Sequence, residues 1–165
     1  MAINIEEIYL EAEADIKNSA YVEAYKKYET ILYEEPNYAP AHNSMGWLLK
    51  NQFDDLEKAE NHFMAAMKSN PLYPHPYFHY AVLLTDMERY KDLEKHLEKS
   101  LKISTIEKSW VNARFGILNE LKQNFTEAIL FYEKAILVTL SDEKIKDYKA
   151  DIERCKMKIE LLQKK

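Results

Sequence analysis

The chain has 165 residues, 31% of them charged and 47% apolar, which suits one soluble domain with a real core and excludes a disordered chain. Its formal net charge of −5 argues against a general nucleic-acid binder. No stretch reaches the ~20 apolar residues of a membrane span. The opening MAINIEEIYLEAEAD has neither a basic segment nor an apolar run, so it does not read as a signal peptide. Cys155 is the sole cysteine, which rules out an internal disulfide and a cysteine zinc site and makes a reducing, cytoplasmic setting the default expectation.

In chain order, Asn4 and Glu7 have the spacing of a helix-opening capping box. The helix they open runs through Ala12 to a turn at "KNSAY", and a second helix follows in "VEAYKKYETIL" (22–32). Pro36 and Pro40 bracket the next turn, because proline ends one helix and suits the first turn of another. "HNSMGWLLK" reads as a third helix, "KNQFDDL" as a turn one residue longer than the first, and "EKAENHFMAAM" (57–67) as a fourth helix. Pro71, Pro74 and Pro76 mark the next break. Beyond it come "YFHYAVLLT", the turn "DMERY", "KDLEKHLEKSL" (91–101), "NARFGILNE", the turn "KQNF" and "TEAILFYEKAI" (126–136). With two glycines and five prolines in the whole chain, almost nothing interrupts this helical pattern. Asn18, Asn51 and Asn124 are the candidates for a left-handed conformation in the turns, since asparagine tolerates it best after glycine. Tyr21, Tyr90 and Phe125 follow the turns and are expected to pack beneath them.

Alternate helices are copies of one another. Ala24, Ala59, Leu93 and Ala128 are each followed four residues later by a large residue, Tyr28, Phe63, Leu97 or Tyr132, and three further on by Ile31, Ala66, Ser100 or Ala135. This i, i+4, i+7 stripe is one helix face. In the preceding helices the smallest residue recurs at one place: Ala12, Gly46, Ala81 and Gly116. Glycine inside a helix costs about 1 kcal/mol against alanine, so both glycines are expected to mark a close approach of the first helix of a unit to its second.

Units of this pattern that recur every 34 or 35 residues resemble the tetratricopeptide repeat family, with its signature W-x2-L-G-x2-Y, A-x3-F and P. The clearest unit supplies Met45-Gly46-x2-Leu49, Ala59-x3-Phe63 and Pro71; the others supply Tyr77-x2-Tyr80-Ala81-x2-Leu84 with Leu93-x3-Leu97, Phe115-Gly116 with Ala128-x3-Tyr132, and Ala12 with Ala24-x3-Tyr28 and Pro36. Thr105 and Leu140 stand where two of the prolines would be, and Asp15 where an apolar residue is usual. The resemblance implies an all-α, right-handed superhelical stack of antiparallel helix pairs, about nine helices in a single domain. The units span 5–38, 39–73, 74–108 and 109–141, and a capping helix spans 142–163. In that last helix Ser141 or Asp142 can cap, and Ile145, Tyr148, Ile152, Cys155, Ile159 and Leu162 form a narrow seam. The seam covers the open end of the stack or, as the alternative, makes a homodimer.

The resemblance further implies a non-enzymatic adaptor or scaffold that binds a protein or peptide on the concave face lined by the first helices. By helical spacing around the small residue, that face comprises Tyr9 and Glu13; Asn43, Trp47 and Lys50; His75, Phe78, His79 and Val82; and Trp110, Arg114 and Ile117. Some members clamp a C-terminal carboxylate with Lys, Asn and Arg. Arg114 matches the arginine, but Trp47, His79 and Trp110 occupy the other places. An apolar or aromatic-anchored peptide is therefore expected, with Arg114 and Lys50 meeting its acidic groups. His75 and His79 share a face but lack further ligands for a metal, and no phosphate-binding loop or catalytic motif occurs, so neither cofactor, metal nor catalytic residue is assigned. Two other roles fit such a short stand-alone chain: a secretion or assembly chaperone for one client, and a structural oligomer built through the last helix. Acidic residues concentrate early, with residues 1–38 at net −6.

Overall fold

The computed structural model describes residues 4–164, and among these every regular element is an α-helix. The helices are α1 (Ile5–Lys17), α2 (Tyr21–Glu34), α3 (Ala39–Gln52), α4 (Leu56–Ser69), α5 (His75–Asp86), α6 (Tyr90–Ser100), α7 (Lys108–Leu121), α8 (Phe125–Leu137) and α9 (Asp142–Gln163). They form two compact units, one ending at Leu83 and the other beginning at Leu84.

In the first unit α1 packs on α2, α2 on α3 and α3 on α4. Asn4 caps α1 by accepting a hydrogen bond from the Glu7 backbone N–H, and Asp55 caps α4 through Lys58. Pro40 lies in the first turn of α3, where a missing N–H costs nothing. The pairing of α3 with α4 turns on Gly46. A β-carbon there would stand 2.7 Å from Cε1 of Phe63, a ring with no solvent exposure. Ala12, Ala24, Tyr28, Ala59, Ala66 and Ala81 are also fully buried, as the stripe requires.

The second unit repeats the device. A β-carbon on Gly116 of α7 would lie 2.6 Å from the Tyr132 ring of α8. On the other side of α8, Tyr148, Ile152 and Cys155 of α9 complete a core with Ala128, Tyr132 and Ala135. The seam is therefore spent inside the chain over its first half, while Leu162 at its end stays exposed. Ser141 caps α9 through the Lys144 N–H. Burial pushes the Cys155 thiol up to about 11, which keeps it protonated and inert as core filling. A carboxylate fixes α9 to its neighbours. Glu120 of α7 accepts two parallel bonds of 2.7 Å from Arg154, another from Lys158 and one of 3.0 Å from the Tyr132 hydroxyl. Hydrogen bonds from Arg154, opposed by burial, hold Glu120 at about 2.

The turns correct one expectation. The left-handed residues are Ser19, Asp54, Glu88 and Gln123, not Asn18, Asn51 and Asn124. They recur at intervals of 35, 34 and 35 residues, which is the repeat period. In three turns the helix closes with paired bonds of the Schellman type: Ala20 N–H to Asp15 O with Ser19 N–H to Ile16 O, and the equivalents at Arg89 and Glu88 and at Asn124 and Gln123. The hydrogen-bond register, not side-chain tolerance, decides which residue is left-handed. Asn18 is the last residue before it, Asn124 the first after it, and Asn51 instead bonds the Trp47 carbonyl through its side chain.

A histidine pair ties α3 to α4. His42 Nε2 lies 2.9 Å from the Pro36 carbonyl, which only accepts, so this nitrogen carries the proton. In the neutral ring Nδ1 is then an acceptor, and His62 Nδ1, 2.9 Å away, must donate to it. Burial, then the neighbouring His42, lowers His62 from 6.5 to about 4.

Three outcomes follow from these packing facts. Gly46→Ala should lose a net 1–2 kcal/mol, roughly, because displacement of the Phe63 ring outweighs the helix propensity gained. Urea denaturation checks this, and Phe63→Leu in the same chain should recover part of the loss. Gln123→Gly should instead stabilise by about 0.5–1 kcal/mol by relieving a left-handed L-residue, seen as a higher urea midpoint with unchanged slope. Third, between pH 6.5 and 4 the unfolded chain protonates His62 and the folded chain does not. Its stabilising contribution is whole above pH 6.5 and falls on acidification by about 2 kcal/mol after allowance for partial solvent access. His62→Gln should flatten that part of the stability–pH curve.

Candidate functional site

The first unit contains a polar cavity of about 360 Å³ at the open face of α1, α3 and the start of α5. Of the residues expected on the concave face, Tyr9, Glu13, Asn43, Trp47, His75 and His79 line it. Ile16, Tyr28, Ser44 and Tyr73 line it as well and were not anticipated. Tyr28 and Ser44 escaped the sequence reading because hydrophobic period does not show that their hydroxyls both turn to Glu13. Tyr73 comes from the proline-rich turn before α5, whose path the sequence does not disclose.

Glu13 is the hub of this cavity. Its Oε1 accepts from the Tyr28 hydroxyl at 2.6 Å and from Ser44 Oγ at 2.7 Å. Ser44 has spent its only proton on Glu13, so the Tyr9 hydroxyl, 3.1 Å from Ser44 Oγ, is the donor in that bond. Burial pushes the Tyr9 and Tyr28 hydroxyls well above the usual tyrosine range, and nearby Glu13 adds to this, so both are fixed donors at neutral pH. The aromatic walls are mutually packed: the Tyr9 ring lies 6.1 Å from Tyr28 and 5.8 Å from Tyr38, edge-on to the latter.

Asn43 is only 7% exposed, yet its Oδ1 has no hydrogen-bond partner. Burying an amide without a partner costs ~1–3 kcal/mol, which makes this residue a natural contact for a ligand. His79 stacks on Phe63 at 5.8 Å and 19°. The ring that seats Gly46 on one side thus carries a cavity wall on another. Burial, then His75 and Lys50, lowers the His79 pKa and favours neutral imidazole. His75 packs against Tyr73 and Phe78 at 5.1 and 6.3 Å. Among the described residues no group of three or more His, Cys, Asp or Glu could hold a metal. Lys50, Phe78 and Val82 are half-buried and are not among the residues lining the cavity.

In the second unit Arg114 stacks over Trp110, its Cζ 5.4 Å from the ring centroid. Burial disfavours the Arg114 charge, and Asp86 partly offsets this. Ile117 packs against the core formed with α8 and α9 rather than standing clear on the face. The difference arises because α9 supplies a hydrophobic neighbour that helical spacing within one repeat does not include. Among the described residues no helix is long and apolar enough to cross a membrane.

No protein-family model matches the sequence, and no curated protein matches it. Solved structures do. The pilF protein of Pseudomonas aeruginosa is similar over 94% of this chain and 69% of its own, with a TM-score of 0.79 at 14% identity. A thermophilic TPR protein of Thermus thermophilus is similar over 90% and 81%, with a TM-score of 0.71 at 16% identity. YrrB, a TPR protein with an unusual peptide-binding site, is similar over 95% and 78%, with a TM-score of 0.70 at 13% identity. The chain therefore has the tetratricopeptide-repeat fold, an all-α architecture of the α-α superhelix class, with nine helices among the described residues.

Proposed function

We propose that this protein is a non-enzymatic interaction module that holds a segment of a partner protein against the cavity formed by α1, α3 and α5. The observation that carries this reading is the buried side-chain oxygen of Asn43, which has no hydrogen-bond partner and belongs to a residue lining a cavity with several aromatic rings. A buried polar group without a partner is what a protein keeps where a ligand supplies the missing bond. Trp47 lines the same cavity and is the kind of side chain that dominates binding energy when a partner covers it. The fold is one in which YrrB has a peptide-binding site, which makes a peptide-like segment the fitting occupant.

The reading is tested by selecting a phage-displayed random dodecapeptide library on the immobilised full chain. Selected peptides, made synthetically, should quench or shift Trp47 fluorescence in a Trp110→Phe variant, where Trp47 is the sole indole. Trp47→Ala should weaken binding at least tenfold while helicity and melting stay unchanged. Binding that ignores Trp47 would place the interaction elsewhere.

A further inference from the structure

The same tyrosine position of the repeat occurs in both units with opposite electrostatic outcomes. In the second unit the Tyr132 hydroxyl bonds Glu120, and Arg154 and Lys158 of α9 neutralise that carboxylate at hydrogen-bond distance. In the first unit the Tyr28 hydroxyl bonds Glu13, whose bonded donors are the neutral hydroxyls of Tyr28 and Ser44. Glu13 has no ion pair with any described residue, and no Lys or Arg lines the cavity around it. Both hydroxyl bonds fall on Oε1 rather than Oε2.

We infer that the cavity around Glu13 is a receptor for the cationic side chain, lysine or arginine, of the bound segment. The inference rests on the interaction-module reading above and gives it a partner chemistry. Glu13 supplies the charge, and the rings of Tyr9, Tyr73 and Trp47 supply electron-rich faces that attract a cation. The Asn43 amide, which presents oxygen or NH2 by a half-turn of its last torsion, completes the donor–acceptor set. His79 borders the cavity, and its burial favours the neutral imidazole, which leaves the charge of Glu13 unopposed there. Long-range charge acts in the same sense: through Leu83 the chain has 13 acidic residues against 6 Lys, a net −7, whereas from Leu84 onward it is +2. The sequence pattern alone points to Lys50 and Arg114 and so to acidic groups on the ligand. The cavity reverses that sign, because neither residue lines it.

The peptides selected on the full chain decide the matter. Lysine or arginine should be enriched at one position relative to the unselected library. In the synthetic peptide, citrulline for arginine or norleucine for lysine at that position should weaken binding at least tenfold. Glu13→Gln keeps an acceptor for both hydroxyls, and it should weaken the basic peptide at least tenfold while leaving the neutral analogue unchanged. If that variant folds poorly by circular dichroism, the neutral-analogue comparison on the native chain decides alone. A selected consensus that is acidic or purely apolar overturns the inference and leaves the interaction-module reading standing. A basic consensus whose affinity ignores Glu13→Gln overturns it too and assigns the preference to the general charge of the first unit. Failure to select any peptide removes both.

Discussion

Everything in this fold depends on how closely the two helices of a pair approach. Where the first helix has glycine, the ring at the large position of the second lies so near that an added β-carbon would fall within 2.8 Å of it: Phe63 against Gly46, Tyr132 against Gly116. The helix propensity lost at glycine is smaller than the contact area gained by a flat ring lying on bare backbone. The geometry also sets what stands beside the glycine. With Gly46 turned to α4, Trp47 is rotated by about 100° along the helix and lines the cavity. The Phe63 ring also carries His79 in a stack. The packing ring and the site wall are thus one structure, and a change that moves Phe63 moves the cavity with it.

The repeat was legible because it is written in residue size. Small residues at Ala12, Gly46, Ala81 and Gly116, with large ones four residues into the stripe of the following helix, survive in the sequence as a period of about 35. Six of the twelve expected face residues line the cavity for the same reason: helical rotation from a fixed packing point fixes direction. What stayed hidden depends on contacts between segments that no period relates. Tyr73 reaches the cavity from a proline-rich turn, and Ile117 is drawn into a core that α9 completes. The left-handed turn residues escaped because the closing hydrogen bonds are counted from the helix end. A search for tolerant side chains finds the neighbouring asparagines.

Charge was the least legible property. Glu13 and Glu120 look alike in sequence, one acidic residue on a first helix, and each accepts a bond from the tyrosine of the next helix. They stand at different places in the repeat, one residue after Ala12 and four after Gly116, and they differ in what the following helix brings to them. Arg154 and Lys158 lie 34 and 38 residues beyond Glu120 and reach it because α9 closes that end of the fold. The Glu120 carboxylate is thereby made structural, held at about 2 and never free to meet a ligand at neutral pH.

At Glu13 the equivalent following helix, α3, brings the neutral hydroxyl of Ser44 in place of a cation. Tyr28, Ser44 and Tyr9 form a chain of hydroxyl bonds that fixes the carboxylate without cancelling its charge. A carboxylate held by neutral donors is oriented but still negative, and in a cavity walled by aromatic rings its field is weakly screened. The repeat architecture therefore uses one interaction, a tyrosine hydroxyl on a carboxylate, for two ends. Where the chain's own last helix provides the cation, the interaction closes the fold; where it does not, the same pair leaves a negative site open to a partner.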